Sequence, residues 1–458
     1  MTTALPGPVT ILGAGLTGSL LATLLAQRGI AVTVYERQPD LRSHAAQGGR
    51  SINLALADRG MRGLRLAGLE DAVAPLLRPM DGRLLHLEDG DLEYQPYGQH
   101  QGERNYSVSR ADLNRLLLDA AAHAGAELHF GQACTAVDVE DRSFVLRSDE
   151  DGTERRLELT PLIAADGAGS VARRALAEAG HVRASESLLP HGYKELTIPP
   201  LPEGGFRMEP GALHIWPRGG FMLIALPNPG GDFTATLFLP NDGEHGFAAL
   251  QDGDAVQAFF EQHFPDTPAL IPDLAHQFES NPVGILGTVR CEPWHLGGDL
   301  LLVGDAAHAI VPFHGQGMNA GFEDCAEFCR LLDAGCPDRE TLFGDFSRLR
   351  HPEAEAIADM ALENYVEMRD TVRDPRFHLR KAVAFELERR CPRRFVPRYS
   401  MVMFHAEIPY SEAQSRGALQ ARLLDELTGD ARTLDEIDFA RAEALVSERL
   451  EPLPGAPA

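Results

Sequence analysis

Residues 9–36 read VTILGAGLTGSLLATLLAQRGIAVTVYE. The short apolar run Val9 to Leu12 enters Gly13, Gly15 and Gly18 at GxGxxG spacing, and a leucine-rich helical stretch follows until Gly29 stops it. A second apolar run, Ala31 to Tyr35, ends in Glu36. Strand, glycine turn, helix, strand, acid is the order of a dinucleotide-binding βαβ unit, so the chain is read as α/β with a Rossmann-type domain at its start. Each glycine has its own mechanical reason. Gly13 makes the turn, Gly15 lets a pyrophosphate approach the backbone, and Gly18 lets helix pack on strand. Glu36, 18 residues after Gly18, is placed to accept from a ribose hydroxyl.

Two further stretches repeat the junction of strand, glycine and helix. Leu162 to Ala165 runs into Asp166, Gly167, Ala168, Gly169 and Ser170, ahead of Arg173 and Arg174. The aliphatic run Leu300 to Val303 leads into GDAAHAIVPFHGQGMNAGFEDC, residues 304–325. Such runs suit buried parallel strands, and Asp305 then stands at a strand's C-terminal tip, where open α/β sheets bind ligands. Pro312 and Phe313 are read as an extended aromatic wall. Gly315 and Gly317 leave the backbone bare before a helix expected to turn Met318, Phe322, Cys325 and Phe328 inward, so its first N–H groups would face a ligand. All three junctions lie at strand C-termini and are expected to converge on one crevice.

Between them, residues 82–98 (GRLLHLEDGDLEYQPYG) carry a hairpin signal at Asp89 and Gly90. A two-residue loop pairs Leu85 with Tyr94 and Leu87 with Leu92, while a three-residue loop pairs Arg83 with Tyr97. The first gives the cleaner apolar face and is preferred, with Pro96 re-aiming Tyr97. Ser107 to Gly125 reads as a helix with Arg110 at its start, a poor place for a cation that favours an anionic partner there. Ala212 to Trp216, Phe221 to Leu226 and Phe233 to Leu239 read as an antiparallel meander in which Ile224, Leu226, Thr236 and Phe238 point one way. Helical periodicity resumes over about 347–372 and 413–450, and the final EPLPGAPA is expected to fray. The resulting division is a dinucleotide-binding domain over 1–178 that includes the 82–98 hairpin, an inserted antiparallel-sheet substrate domain over 179–290, a return to the first domain over 291–345, and a helical region over 346–458.

The chain has 458 residues and a formal net charge of −25, which argues against nucleic acid or an anionic membrane surface as a partner. Six cysteines show neither a CxxC pair nor a paired histidine spacing, so no zinc site or disulfide framework is expected and they read as reduced, mostly core residues. No stretch approaches the ~18 uncharged apolar residues of a spanning helix, and MTTALPGP lacks the features of a signal peptide. The expectation is a cytoplasmic protein acting on small molecules, with a homodimer left open.

GAGLTG with Glu36, ADGAGS at 165–170 and the 304–325 stretch together resemble the three FAD fingerprints of the single-component flavin-dependent aromatic hydroxylases. The substrate-side stretches are narrower: GRSINLAL at 49–56, the 82–98 hairpin, HGYKELTIP at 191–199, ALHIWP at 212–217, ALENYVEMRD at 361–370 and PRYSMVMF at 397–404 are similar to the kynurenine 3-monooxygenases of that group. The resemblance implies FAD as cofactor, NADPH as co-substrate, and hydroxylation of L-kynurenine to 3-hydroxykynurenine by dioxygen through a flavin C4a-hydroperoxide. A hydroxylase of a phenolic or quinone-precursor aromatic acid is the alternative. A flavin halogenase would want a WxWxIP stretch, and the only tryptophans are Trp216 and Trp294.

By the family pattern the cofactor side comprises Gly13, Gly15, Leu16, Gly18, Glu36, Arg37, Ala55, Arg110, Cys134, Asp166, Asp305, Gly315, Gly317, Met318 and Asn319. The helix start after Gly317 would favour the negative charge that a reduced flavin carries at its N1 and O2 edge. On the substrate side Arg83 and Tyr97 would hold the amino-acid carboxylate, with Asn364 and Tyr399 nearby. Leu213, Ile224, Leu226, Phe238, Pro312, Phe313 and Met368 would line the cavity. No residue is assigned a proton-transfer role, because the substrate's aniline nitrogen already activates the ring; His314 reads as structural. Membrane-anchored members of the family carry a hydrophobic C-terminal segment, whereas this chain's end reads as charged and helical.

Overall fold

The computed structural model describes Leu5 and residues 7–43, 53–369 and 375–453. Residues 49–52 of the GRSINLAL stretch, 370–372 of the expected helix and 454–458 of the terminal segment lie outside the described residues. The chain divides into two compact units, one of Met1–Leu77, Val108–Leu188 and Gly287–Ala358, the other of Arg78–Ser107, Leu189–Leu286 and Asp359–Ala458. The hairpin therefore clusters with the inserted sheet and not with the dinucleotide domain. The C-terminal helices beyond residue 358 join that same unit and form no third region.

In the first unit six strands lie in the order His295–Leu296, Leu300–Leu302, Leu162–Ala164, Val9–Leu12, Val32–Tyr35, Glu127–His129, all parallel except the first. Val9–Leu12, Leu162–Ala164 and Leu300–Leu302 are buried throughout, which is why they read as unbroken apolar runs without alternation. Leu12 is level with Ala164, and Ala164 with Leu302. The three glycine junctions thus leave adjacent strands at one edge of the sheet, as the pattern requires. Helix Leu16–Gln27 packs against helices Arg110–His123 and Gly317–Asp333. A small antiparallel sheet, Gln132–Asp138, Ser143–Ser148 and Glu154–Glu158, was not anticipated.

The second unit is built on the expected meander, Ala212–Pro217, Met222–Pro227 and Phe233–Pro240, with residues 191–198 of the long strand Arg183–Ile198 paired along one side. On the other side Gly82–His86 runs parallel to Ala212–Pro217 and pairs with Leu92–Pro96. The hairpin register is neither of the two expected. Arg83 pairs with Gln95 and His86 with Leu92, because Leu87 N–H bonds Asp91 O at 3.0 Å across a three-residue loop. Gly90 sits there at φ 90°, a conformation that glycine adopts without strain, and Asp89 Oδ1 accepts from Asp91 N–H. The shift puts Tyr97 on the face of Arg83 with no re-aiming at Pro96.

Strand parity then divides the sheet's two faces. Trp216, Leu223, Ala225, Ala235 and Leu237 point to the face covered by Phe259, Phe260, Leu274 and Phe278, which forms this unit's main core. Arg83, Tyr97, Leu213, Ile224, Leu226 and Phe238 all lie on the other face. Helices Pro375–Arg390 and Arg398–Phe404 fall outside the expected helical stretches and stand beside the expected Tyr410–Thr428 and Phe439–Arg449. No helix among the described residues is long and apolar enough to cross a membrane.

Candidate functional site

In the first unit, Gly13 and Gly15 do different work. Gly13 has φ 94°, and a Cβ there would lie 2.4 Å from Ala165 O, so the turn of the first fingerprint is pressed directly on that of the second. Gly15 has φ −69°, which any residue adopts, yet a Cβ there meets nothing within 4 Å. Its missing side chain is thus not demanded by the protein, and the open space at the start of helix Leu16–Gln27 suits an anionic ligand. Gly18 completes the motif: a Cβ would fall 2.0 Å from Gly13 O. Glu36 Oε2 accepts from Ala14 N–H at 2.7 Å and Oε1 from Gln38 N–H at 2.8 Å. It therefore braces the glycine turn and keeps lone pairs for a ribose hydroxyl.

Asp166 caps its own junction through Oδ2, which accepts from Val171 N–H at 2.8 Å, while its Oδ1 is buried with no hydrogen-bond partner. A buried acceptor of this kind fits a ligand hydroxyl. Cys134 lies half-buried beside it, and burial together with the Asp166 charge pushes its thiol up to about 12, so it acts as a neutral packing group. Arg37 and Arg110 are exposed, Arg110 as the first residue of its helix behind the Ser109 cap. Asp305 is exposed at the start of the short helix Asp305–His308, which Gly304 enters at φ 56°.

The 304–325 stretch departs from expectation at Pro312 and Phe313. They form a tight 3-10 turn with His314, not an extended wall, closed by Gly315 at φ 67°; Phe313 and His314 are buried and Pro312 is exposed. Gly317 opens helix Gly317–Asp333 as expected. Asn319 is engaged within the protein: its Oδ1 accepts from Ala57 N–H at 2.9 Å, and its Nδ2 donates to Ala55 O at 2.8 Å and Gly315 O at 2.7 Å. It ties strand Asn53–Leu56 to the glycine loop. Leu16 is buried, while Ala55 and Met318 are half-buried.

Behind this loop lies an ion network that the sequence pattern does not disclose. Arg59 pairs with Glu323 at 2.6 Å, Arg350 with Glu323 and Asp324 at 2.8 Å each, and His308 with Asp324 at 2.6 Å, all five residues being buried. Asp324 Oδ2 also accepts from Gly304 N–H at 3.0 Å, so one carboxylate pins both ends of the turn that carries Asp305. The available signal is an acid pair, Glu323 and Asp324, amid inward-facing Phe322 and Cys325. Its partners at 59, 308 and 350 cannot be identified from local spacing. Burial opposes the Asp324 charge, but His308 and Arg350 overcome it and hold the carboxyl below the usual carboxylate range.

We expect Asp324→Asn to destabilise the protein by about 3 kcal/mol at pH 7, since Arg350 and His308 lose their shared counter-charge. A depressed folded-state pKa stabilises above the ordinary carboxylate pKa and ceases to do so as pH falls through the folded value. The gap between variant and parent in urea melts should therefore narrow below about pH 4. A gap that stays constant down to acid unfolding would remove Asp324 from this role.

In the second unit the sheet face opposite the main core gathers Met80, Tyr97 and Leu226, with Leu213, Ile224, Tyr399 and Phe404 packed against them. Arg83 is 7% exposed among these groups. Its Cζ lies 5.8 Å from the Tyr97 ring centroid and 5.0 Å from that of Tyr399, and the two rings stack at 5.6 Å. Glu367 Oε1 is 3.7 Å away, and Asn105 Nδ2 donates to Tyr399 Oη at 3.0 Å. Arg83 Nε is buried without a hydrogen-bond partner. Burial works against the guanidinium charge; Tyr399, Tyr97 and Glu367 outweigh it, so Arg83 stays ionised, and burial keeps both tyrosine hydroxyls protonated.

Asn364 and Met368 are both buried and touch each other, Asn364 Nδ2 lying 3.4 Å from Met368 Sδ. Phe238 is buried on the same sheet face, next to Tyr193 at 6.3 Å between ring centroids. Lys381 on helix Pro375–Arg390 was not foreseen: burial and the nearby Arg83 charge push its ammonium down to about 8, against Glu367 and Glu93. The face thus combines an apolar floor with a buried cation and an adjacent carboxylate. That suits an aromatic amino acid better than a plain phenol.

Residues 7–361 match the family described as FAD binding domain. A kynurenine 3-monooxygenase of Xanthomonas euvesicatoria pv. vesicatoria (strain 85-10) is 49% identical over 451 residues, covering 98% of this chain and 99% of that protein. One from Myxococcus xanthus (strain DK1622) is 47% identical over 453 residues, covering 99% and 97%. The chain belongs to the kynurenine 3-monooxygenase family. Membership makes it an FAD-dependent monooxygenase. Solved structures support the fold alone. This family member is similar to a tetrameric 2-methyl-3-hydroxypyridine-5-carboxylic acid oxygenase, with TM-score 0.65 and 19% identity over 81% of this chain and 94% of the other. It is also similar to PqsL, a probable FAD-dependent monooxygenase from Pseudomonas aeruginosa, with TM-score 0.63 and 21% identity over 79% and 96%. The open space at Gly15 and the orphan Asp166 oxygen fit the dinucleotide that the family binds.

Proposed function

We propose that this monooxygenase hydroxylates L-kynurenine on the ring carbon beside its amino group, giving 3-hydroxykynurenine, with NADPH as reductant and dioxygen as oxidant. One oxygen atom enters the C–H position as hydroxyl; the other leaves as water, using the two electrons of NADPH and a proton. FAD, when bound, carries the electrons from NADPH to dioxygen. Gly13, Gly15 and Gly18 would admit its pyrophosphate, Glu36 its adenosine ribose and Asp166 a ribityl hydroxyl, while Asp305 and the backbone from Gly315 to Asn319 would meet its isoalloxazine end.

The observation that carries the substrate reading is the buried Arg83 guanidinium, within cation–π reach of Tyr97 and Tyr399, with Nε unsatisfied. An amino-acid carboxylate would complete it in the bidentate manner for which arginine is suited. Glu367, 3.7 Å from Arg83, supplies the opposite charge that a zwitterion's ammonium needs. Leu213, Ile224, Leu226 and Phe238 would keep water from the aromatic ring, and Asn364 and Met368 would flank it. The aniline nitrogen feeds electron density to the carbon beside it, so the residues contribute placement and no side chain has to remove a proton first.

Purified protein loaded with FAD should oxidise NADPH faster when kynurenine is added and form 3-hydroxykynurenine, read by chromatography. Stimulation with product formation by 4-hydroxybenzoate or a related phenolic acid, and none by kynurenine, would replace this substrate with the alternative class.

A further inference from the structure

A second cluster of chemistry-bearing side chains lies in the same unit, apart from the Arg83 group. The loop after strand Leu92–Pro96 carries His100 and Glu103, helix Pro375–Arg390 carries Glu388, and the turn after helix Arg398–Phe404 carries His405. His100, Glu103 and Glu388 each bring a ligand-type atom within 4.8 Å of the other two. Glu388 is 1% exposed; its Oε2 accepts from Gln99 Nε2 at 2.6 Å, and its Oε1 is buried with no hydrogen-bond partner. A buried carboxylate oxygen without a donor calls for a ligand or a cation.

The neighbours are oriented for the same purpose. Glu103 Oε2 accepts from Gln99 N–H at 2.8 Å and His100 N–H at 2.9 Å, which fixes its head and leaves Oε1 3.9 Å from His405 Nε2. His405 Nδ1 lies 2.9 Å from Glu407 Oε1, the outer carboxylate that aims an imidazole's other nitrogen at a metal. Among the described residues no lysine or arginine pairs with Glu103 or Glu388, so their charges are not offset by a fixed ammonium or guanidinium.

We propose that His100, Glu103, Glu388 and His405 form a binding site for one divalent transition-metal cation, zinc being the best match to two imidazoles and two carboxylates. Tetrahedral zinc holds its ligand atoms about 3.3 Å apart, so atoms now within 4.8 Å of one another have to draw in by up to about 1.5 Å. The exposed His100 has the freedom to do this by rotating. Occupancy would fasten the loop that follows the hairpin to the helix and turn on either side of Tyr399.

The test is calorimetric titration of the FAD-loaded full chain, stripped of divalent ions, with zinc chloride. We expect one saturable site, at least a tenfold weaker Kd in both Glu388→Gln and His100→Gln, and a zinc-dependent rise in Tm that both variants lose. Cys336→Ser should leave the titration unchanged, which separates this site from thiol binding. If Glu388→Gln does not fold, the surface substitution His100→Gln decides alone. No saturable binding, equal binding by parent and variants, or binding lost with Cys336 would overturn the proposal.

Discussion

Replacing Arg83 with alanine is expected to raise the KM for kynurenine by one to two orders of magnitude while the protein keeps its flavin. A hydrogen bond to a charged group is worth about 1.5–3 kcal/mol, which converts to about that range. Arg83 is also the only guanidinium among the described residues that lies within cation–π reach of both stacked tyrosines, Tyr97 and Tyr399. Because the carboxylate lies far from the reacting carbon, the lost interaction is the same before and during the reaction, so kcat at saturation should fall much less than kcat/KM. Glu367 is 28% exposed and can be rehydrated when its partner goes, so folding should survive. Arg83→Lys should recover little, since an ammonium lacks the fork that grips both carboxylate oxygens. Steady-state kinetics decide the matter, with the flavin spectrum as the control. An unchanged KM would take Arg83 out of the site.

The second large effect separates two glycines of one motif by their surroundings. Gly15→Ala should leave the melting temperature of the FAD-free protein unchanged or slightly raised, because the backbone conformation suits alanine and nothing stands within 4 Å of the new methyl. The same substitution should weaken FAD binding at least tenfold, about 1.4 kcal/mol, because the methyl would occupy the space proposed for the pyrophosphate. Gly13→Ala should instead fail in the FAD-free state, since φ is 94° and the Cβ would strike Ala165 O at 2.4 Å. Fluorescence titration with FAD and melts of the stripped protein measure both. A Gly15→Ala protein that binds FAD as tightly as the parent would mean that the cofactor does not approach this turn.

Much of the cofactor cradle is legible because its signals are local. An apolar run that ends in a spaced set of glycines announces its own strand, turn and helix, and three such runs in a parallel sheet place their tips along one edge. The hairpin shows where that legibility stops. Its register depends on how Gly90 and Asp89 close the loop, and a single residue of slip decides whether Tyr97 shares a face with Arg83. The parity of the meander, by contrast, comes through alternation alone: Ile224, Leu226, Thr236 and Phe238 lie on one face as expected. What stays hidden depends on partners remote in the chain. Asp324 is legible as a buried acid only once Arg350 and His308 are known to meet it, and Lys381 only once helix Pro375–Arg390 is laid beside Arg83.

We propose that the FAD cradle and the kynurenine-binding face serve one reaction. Anaerobic mixing of the FAD-loaded protein with NADPH, with and without kynurenine, tests it most directly, followed by loss of flavin absorbance. Markedly faster bleaching is predicted with kynurenine present, together with loss of that acceleration in Arg83→Ala at the same kynurenine concentration. Bleaching at one rate with and without kynurenine, or accelerated only by a phenolic acid, would contradict it.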